Sequence, residues 1–220
     1  MKILGETATK IIEAAVEVFK KEGYEKTNVQ RLLQAAKISR RTFYKYFKNK
    51  DQVLLGVYEK GISLLLEEIE RAVSSKNEPM DKLKMGIDSY LAFHESAGPL
   101  VLLLHQESMR PTSLLAPKRE WIQAKLVELL DQSARIEMEK SLDPLVYYTV
   151  IWSLENVSVY LLTKTKRTPA DLQRARQLMY CLVERIFAES GSVLPELPLV
   201  DPAQSLDLGE KNESSKDRTG

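Results

Sequence analysis

Reactive side chains are scarce in this chain of 220 residues, which contains one cysteine and two histidines. A single cysteine excludes an internal disulfide. His94 and His105 are separated in sequence and have no further ligand at a metal-binding spacing, so they are a weak basis for a metal site. Hydrolysis or group transfer usually needs a nucleophile with a base, paired carboxylates or a glycine-rich phosphate loop, and the sequence shows none of these. We therefore predict that the protein is not an enzyme and has no metal or other cofactor.

Long apolar runs without charge are also missing. The most apolar stretch, residues 144–163, has the length of a membrane span, but Glu155 and Asn156 lie at its middle, where a charge is costly in lipid. The N-terminus shows no apolar segment typical of a signal peptide. We expect a cytoplasmic protein that does not enter a membrane.

Glycine and proline are sparse, at nine residues each. Apolar residues recur about every 3.6 positions along most of the chain, which predicts an all-α fold. Thr7 is expected to cap the first helix and Gly23 to end it. In the stretch "TNVQ", Thr27 has the position of an N-cap for a second, short helix. A third helix is expected from a cap at Ser39 to about residue 46.

The remaining helices follow at regular intervals. Asn49 and Gln52 form a capping pattern that opens a long helix ending near residue 75. Further helices are predicted at about 80–95, 99–108, 114–138, 143–165 and 169–190, with prolines at or near several of the starts. Residues 191–220 are rich in proline and polar residues, and we predict a disordered tail there.

Positive charge is concentrated at the N-terminus although the net charge of the chain is only +1. Residues 1–50 contain 12 Lys and Arg against 5 Asp and Glu, whereas the other 170 residues contain 20 against 26. A basic segment attached to an acidic body indicates two functions, one of them exerted on a polyanion. The alternative is an ordinary solvated basic surface.

The stretch "ISRRTFYKYFKNK", residues 38–50, mixes aromatic and basic residues closely. On a helix that starts at Ser39, Phe43 and Phe47 share one face and are expected to anchor the helix to the two preceding ones. The opposite face then carries cations and tyrosines. Two short helices joined by a three-residue turn, the second of them basic, predict a helix-turn-helix that places this second helix in the DNA major groove.

Specific contacts follow from the chemistry of these side chains. Arg40 or Arg41 has the geometry to bind the O6/N7 edge of guanine, and Thr42 can contact a base or a phosphate. The hydroxyls of Tyr44 and Tyr46 can bind phosphates while their rings pack. Two further phosphate contacts are expected at helix N-termini, where free N–H groups favour an anion; they involve Thr27 and Lys50.

At these residues the chain resembles the TetR family of bacterial transcriptional regulators. The resemblance extends over about residues 8–59 and is carried by the turn "AAKIS", the block "TFYKYFKNK" and the spacing back to "FKKEGYEKT". It implies a three-helix DNA-binding domain, a helical ligand-binding and dimerisation domain, and a homodimer that binds a palindromic DNA operator until a small-molecule inducer releases it. The implied domains are residues 1–50 and 51–190, with residues 50–75 as a linking helix.

Carried onto this sequence, the resemblance implies base contacts from Arg40, Arg41, Thr42 and Lys45. The implied phosphate contacts are those of Thr27, Tyr44, Tyr46 and Lys50. Two positions depart from the family pattern. Lys37 stands where glycine is frequent, and a positive φ there would cost a non-glycine residue roughly 1 kcal/mol, so the turn is expected to differ slightly. Arg41 stands where a small residue is frequent.

The second half of the chain has the composition of a dimer interface. The segment "DPLVYYTVIWSLENVSVYLLTKT" is apolar on nearly all sides, which a monomer surface would not tolerate. With the helix that follows it, this segment predicts a four-helix bundle between two subunits. The alternative is that both helices belong to the core of a monomer.

A ligand cavity is expected in this half, but the sequence does not define it. Candidate lining residues are aromatic, polar or large apolar side chains on the predicted helices, namely Phe93, His94, Leu103, His105, Met109, Trp121, Tyr148, Trp152 and Glu155. Each of them also has an ordinary explanation as a packing or surface residue. Glu155 is expected either to pair with a Lys or Arg across the subunit interface or to contact a cationic ligand, because buried carboxylates are rarely unpaired.

Two other functions remain open at this point. A purely architectural DNA-binding protein would need a broad basic surface, whereas the body is acidic. A transcriptional activator, or a regulator without a ligand, is compatible with the same sequence because the sign of regulation depends on where the operator lies.

Overall fold

The structure is a computed structural model that describes residues 5–76, 78–137, 139 and 142–187. Within these residues the chain forms nine α-helices and no β-strand, as the sequence predicts. The helices are α1 (Glu6–Glu22), α2 (Val29–Ala36), α3 (Arg40–Tyr46), α4 (Lys50–Val73), α5 (Pro79–Ala97), α6 (Pro99–Ser108), α7 (Ala116–Glu137), α8 (Pro144–Thr163) and α9 (Pro169–Phe187). The tail predicted at 191–220 lies outside the described residues.

Helix starts follow the capping chemistry in most places. Ser39 and Asn49 are the N-caps of α3 and α4, and their side chains accept hydrogen bonds from the backbone N–H of Thr42 and Gln52. Proline occupies the first position of α5, α6, α8 and α9, where its missing N–H is without cost. The prediction for Thr7 is wrong, because the N-cap of α1 is Gly5 and Thr7 lies within the first turn of the helix.

The cap of α2 is Asn28, not Thr27. The Asn28 side chain accepts the backbone N–H of Arg31 at 2.9 Å. Thr27 is only 3% exposed, and its hydroxyl donates to the carbonyl of Gly23 at 2.7 Å. The Thr27 hydroxyl therefore closes the turn after α1, where Gly23 has a φ of +79°, and Asn28 satisfies the free N–H groups of α2 in its place.

The turn between α2 and α3 keeps the left-handed geometry although Lys37 replaces glycine. Lys37 has φ 52° and ψ 49°, and the N–H of Ile38 bonds to the carbonyl of Leu33 at 3.2 Å. This is the hydrogen-bond pattern with which helices commonly end. The expected deviation of the turn is therefore not observed. Lys37 adopts the positive φ although this conformation is energetically unfavourable for a residue with a Cβ.

Two apolar cores hold the helices together. The first joins α1–α4 to α6 and to the residues around the start of α7. Its buried members beyond α4 are Leu100 and Leu104 on α6, Leu115 just before α7, and Ile122 on α7. Gly56 on α4 allows α1 to approach closely, since a Cβ there would lie 2.9 Å from Cδ1 of Ile12. The second core joins α5, α7, α8 and α9 around Tyr147, Met179 and Val183. The first core thus extends past residue 50, so α6 is packed directly against the N-terminal helices.

Helix α8 is apolar but poorly covered. Only Tyr147, Val150, Ser158 and Leu161 of its 20 residues are buried in the chain. Large apolar side chains on its outer side, Leu145, Trp152 and Tyr160, are exposed. Among the described helices, α8 is the one with the length and apolar composition of a membrane span. Helices packed in the core of a protein can have the same length and composition.

Candidate nucleic-acid interface and effector site

Helix α3 has one face fixed in the first core. Its seven residues are too few to form a stable helix alone, and Phe43 and Phe47 supply the tertiary anchor: both are buried, with ring centroids 6.0 Å apart. At the N-terminus, Oγ of Ser39 accepts the N–H of Thr42 at 3.1 Å. The orientation of α3 is therefore set by its buried phenylalanines and its cap.

The opposite face of α3 is exposed and positively charged. Arg40, Arg41, Tyr44, Lys45 and Tyr46 are all exposed, and α3 contains no acidic residue. The Arg40 guanidinium lies 5.6 Å from the Tyr44 ring centroid, and the Lys45 ammonium lies 5.6 Å from that of Tyr46. Among the described residues none of the three cations has a carboxylate partner. This face is thus suited to phosphates and base edges.

Thr42 and Thr27 are less available than the other predicted contacts. Thr42 is half-buried, and its hydroxyl lies 2.8 Å from that of Ser39. The buried hydroxyl of Thr27 is already bound to Gly23. The geometry therefore gives no support to a phosphate contact by the Thr27 side chain.

Lys50 has an internal partner that the sequence did not reveal. Its ammonium donates to the carbonyl of Tyr24 at 2.8 Å and lies 4.0 Å from the centroid of the Tyr24 ring. The Tyr24 hydroxyl in turn donates to the carboxylate of Asp51. These contacts fasten the start of α4 to the turn after α1. Because an ammonium has three donors, the phosphate contact of Lys50 remains a prediction.

A largely buried polar cluster surrounds Glu155 at the middle of α8. The Arg119 guanidinium binds its carboxylate with two hydrogen bonds, Nε–Oε1 at 3.0 Å and Nη2–Oε2 at 2.6 Å. The Gln123 amide donates to Oε2 at 3.0 Å, and Nδ1 of His105 lies 3.2 Å from Oε1. Of the two expectations for Glu155, pairing with a Lys or Arg across a subunit interface is corrected, because its partners are on α6 and α7 of the same chain. Contact with a cationic ligand stays a prediction.

Electrostatics hold this carboxylate in its charged form. Burial alone would raise the pKa of Glu155, but the hydrogen bonds from His105 and Arg119 outweigh it and lower the pKa to about 2. Nearby, Nδ1 of His94 is hydrogen-bonded to the hydroxyl of Ser158, one turn after Glu155 on α8. The ring of Tyr90 lies 3.9 Å from the His94 ring, centroid to centroid. Burial is the main reason that the pKa of His94 falls to about 4.

The lowered pKa of His94 predicts acid destabilisation. The folded protein favours the neutral imidazole of His94, so the unfolded state binds a proton more readily. The protein therefore has its full stability above the ordinary pKa of 6.5 and loses stability as the pH falls towards about 4. Between pH 7.0 and 4.5 the free energy of unfolding should fall by roughly 2–3 kcal/mol on account of His94. Urea unfolding of the wild type and of His94→Gln at both pH values measures this. Equal losses in the two proteins would show that His94 does not carry the effect.

The nine predicted ligand residues do not line one cavity. Glu155, His105 and Trp152 meet in the polar cluster, Trp152 through a 3.4 Å hydrogen bond to Gln123, and His94 lies beside it. The Tyr148 ring lies 5.2 Å from the Trp152 ring, centroid to centroid, Phe93 lies near His94, and half-buried Leu103 packs against the first core. Met109 and Trp121 are more than half exposed, so the structure does not place them in an interior site.

Arg119 and Gln123 were missed by the sequence analysis. The sequence did indicate that Glu155 needs a partner, since a carboxylate within an apolar helix has to be neutralised or hydrogen-bonded. Helix α7, however, carries several basic residues, and sequence spacing could not distinguish Arg119 from Lys118 or Lys125. Among the described residues, no group of three His, Cys, Asp or Glu side chains is arranged to hold a metal ion.

Comparison with known proteins finds a family match in the N-terminal helices. Residues 11–57, which span α1 to α4, match the family model described as bacterial regulatory proteins, tetR family. The chain is 26% identical over 121 residues to the fatty acid metabolism regulator protein of Bacillus subtilis strain 168 and 26% identical over 118 residues to the HTH-type transcriptional regulator HbdR of Aromatoleum sp. strain CIB. These alignments cover 55% and 54% of this chain, and they span 62% and 50% of the two relatives.

Solved structures share the whole described fold. The fatty acid degradation regulator FadR of Bacillus halodurans superimposes with a TM-score of 0.68 at 23% identity, over 81% of this chain and 97% of that protein. FadR of Bacillus subtilis in complex with stearoyl-CoA superimposes with a TM-score of 0.65 at 20% identity, over 82% and 97%. At these identities the similarity shows a common fold, namely an N-terminal helix-turn-helix with a helical body.

Proposed function

We propose that this chain, whose residues 11–57 match the model of the tetR family of bacterial regulatory proteins, is a DNA-binding transcriptional regulator of that family. In this proposal it is a repressor that binds a palindromic operator as a homodimer and leaves it when a small-molecule effector binds. The observation that carries the proposal is the exposed basic face of α3, presented from a helix whose other face is fixed by Phe43 and Phe47. Arg40, Arg41 and Lys45 are the proposed base contacts. Tyr44, Tyr46 and Lys50 are the proposed phosphate contacts.

The uncovered face of α8 supports the homodimer. Leu145, Trp152 and Tyr160 are spaced seven to eight residues apart and lie on one side of this helix, all exposed. A patch of large apolar side chains on the surface of a monomer indicates an association site. A two-fold axis through this face would present two copies of α3, and such dimers read half-sites about 34–36 Å apart.

The polar cluster around Glu155 supports an effector-controlled switch. His105 in this cluster lies on α6, and α6 is also part of the first core that contains the DNA-binding helices. Two ion pairs continue the connection: Arg110 to Glu25 after α1, at 3.5 Å, and Lys118 to Glu59 on α4, at 3.0 Å. An effector that displaces contacts of Glu155 would therefore move α6 against the DNA-binding helices. It would release DNA only by binding the released conformer more tightly.

The similar proteins indicate which effectors to test first. The sequence relative from Bacillus subtilis and the solved structure from Bacillus halodurans are named for regulation of fatty acid metabolism or degradation, and the solved FadR structure from Bacillus subtilis contains stearoyl-CoA. Acyl-CoA thioesters are accordingly the first effectors we propose. An activator with the same architecture is the second candidate, and the position of the operator relative to the promoter distinguishes the two.

The experiment is fluorescence anisotropy on DNA duplexes tiled across the region upstream of the gene, with random competitor DNA and two salt concentrations. One duplex should survive competition and bind two chains. Arg41→Ala should reduce the preference for that duplex by about tenfold, because a bidentate base contact contributes roughly 1–3 kcal/mol of discrimination. Lys50→Ala should weaken binding to all duplexes and flatten the salt dependence.

Lys60→Ala is the matched control, since it removes an exposed positive charge from α4 outside the proposed interface. This variant should keep both the affinity and the preference of the wild type. Equal binding to all duplexes by the wild type, on genomic fragments as well, would contradict sequence-specific recognition. Addition of stearoyl-CoA should release the bound duplex, and failure of a panel of acyl-CoA thioesters to do so would remove them as effectors.

A further inference from the structure

A surface groove lies between the C-terminal half of α5 and the N-terminal half of α9, bordered by the loop that joins α8 to α9. Its volume is ≈ 960 Å³. It is lined by Glu95, Arg167, Thr168, Pro169, Leu172, Gln173, Arg176, Gln177 and Tyr180. Most of these side chains are polar, and Pro169, Leu172 and the ring of Tyr180 form the apolar part of the lining.

Two charges in this groove have no partner among the described residues. Glu95 on α5 and Arg167 in the α8–α9 loop are both exposed, and neither makes a hydrogen bond or an ion pair within that part of the chain. The other charged side chain of the lining, Arg176, is occupied by the Asp88 carboxylate, Nε–Oδ1 at 2.6 Å. The groove therefore offers one unpaired cation and one unpaired anion, and its lining together with Asp88 is neutral.

A narrow apolar passage continues from the groove into the body. It shares Glu95, Arg167 and Leu172 with the groove, and its walls are Leu91, Leu161 and Leu162. It ends at His94 and Ser158, whose hydrogen bond joins α5 to α8 beside the Glu155 cluster. In this conformation its volume is only ≈ 10 Å³, so the leucine side chains must move apart before an alkyl chain can enter.

We infer that this groove and passage bind an amphiphile with a zwitterionic head and a single alkyl chain. The anionic group of the head pairs with Arg167, its cationic group pairs with Glu95, and the chain enters between Leu91, Leu161 and Leu162. A purely anionic head would leave Glu95 facing like charge, and a purely cationic head would do the same to Arg167. Regulation of DNA binding from this site rests on the proposed function, whereas the binding itself does not.

Isothermal titration calorimetry on the full chain tests the inference with three probes of equal chain length, each below its micelle concentration. These are dodecylphosphocholine, dodecanoate and dodecyltrimethylammonium. Dodecylphosphocholine should bind about tenfold more tightly than either singly charged probe, since a hydrogen-bonded pair with a charged group changes affinity by roughly this factor. Hexylphosphocholine should bind at least tenfold more weakly than dodecylphosphocholine, because it buries fewer methylene groups.

Two variants assign the head group. Arg167→Gln should weaken dodecylphosphocholine about tenfold and leave dodecyltrimethylammonium unchanged or tighter. Glu95→Gln should remove the preference over dodecanoate. Lys60→Gln and Glu67→Gln, which remove exposed charges from α4, are the matched controls and should change nothing.

The inference is wrong if dodecylphosphocholine does not bind, if the three probes bind alike, or if the controls alter affinity as much as the groove variants. Stearoyl-CoA is a further comparison: binding that depends on Arg167 but not on Glu95 would show a site for anionic heads instead. DNA affinity is measured separately by anisotropy. Probe binding without any effect on DNA affinity contradicts a regulatory role but not the site, and specific DNA binding without probe binding contradicts the site but not the proposed function.

Discussion

Replacing Phe43 by alanine is expected to lower the free energy of unfolding by roughly 3–5 kcal/mol, as is usual when a fully buried phenylalanine is truncated in a core. Phe43 has no exposed surface and packs against Phe47 within the first core. A loss of this size is a large part of the 5–15 kcal/mol by which domains are typically stable. Because the short helix α3 depends on this anchor, we expect specific DNA binding to be lost as well.

Urea unfolding followed by circular dichroism, at one protein concentration, measures the change in stability. Tyr44→Ala is the matched control on the opposite face of α3, where Tyr44 is 45% exposed. It should cost less than about 1 kcal/mol of stability and still weaken DNA binding. If Tyr44→Ala destabilises the protein as much as Phe43→Ala does, the assignment of the two faces of α3 is incorrect.

Replacing Arg119 by methionine is expected to lower the free energy of unfolding by roughly 2–4 kcal/mol, because it leaves the Glu155 carboxylate without its main partner in a poorly solvated site. The side chains of Arg119 and Glu155 are only 18% and 15% exposed. Removing both charges in Arg119→Met with Glu155→Met should recover much of the loss, since no unpaired charge remains. The double-mutant cycle isolates the coupling between the two side chains.

Arg135→Met provides the comparison on the same helix. Arg135 also pairs with a carboxylate, that of Asp131 at 2.8 Å, but its side chain is 59% exposed. The loss of stability there should not exceed about 0.5 kcal/mol, as for other exposed pairs. Equal effects at Arg119 and Arg135 would contradict the claim that burial makes the Glu155 cluster strong.

The helices themselves follow from local chemistry. Caps at Ser39 and Asn49, prolines at helix starts and the stop at Gly23 act within four residues of the helix end, so the sequence alone located α1 to α9 closely. The same spacing separated the buried from the exposed side of α3, because Phe43 and Phe47 are one turn apart. Where two residues competed for one role, as Thr27 and Asn28 did, spacing did not choose correctly.

The polar pairings depend on the tertiary structure. Lys50 meets Tyr24 across 26 residues, Glu155 meets Arg119 across 36 and His105 across 50. Helical periodicity shows which side of a helix is apolar but not which neighbouring helix lies against it, so several basic residues were equally suitable partners for Glu155. The sequence thus determined the class of fold, the helix-turn-helix and the basic face of α3. The packing of α6, α7 and α8 decided which charges are neutralised in the body, because only packing brings distant charges within hydrogen-bonding range and excludes the water that would otherwise solvate them.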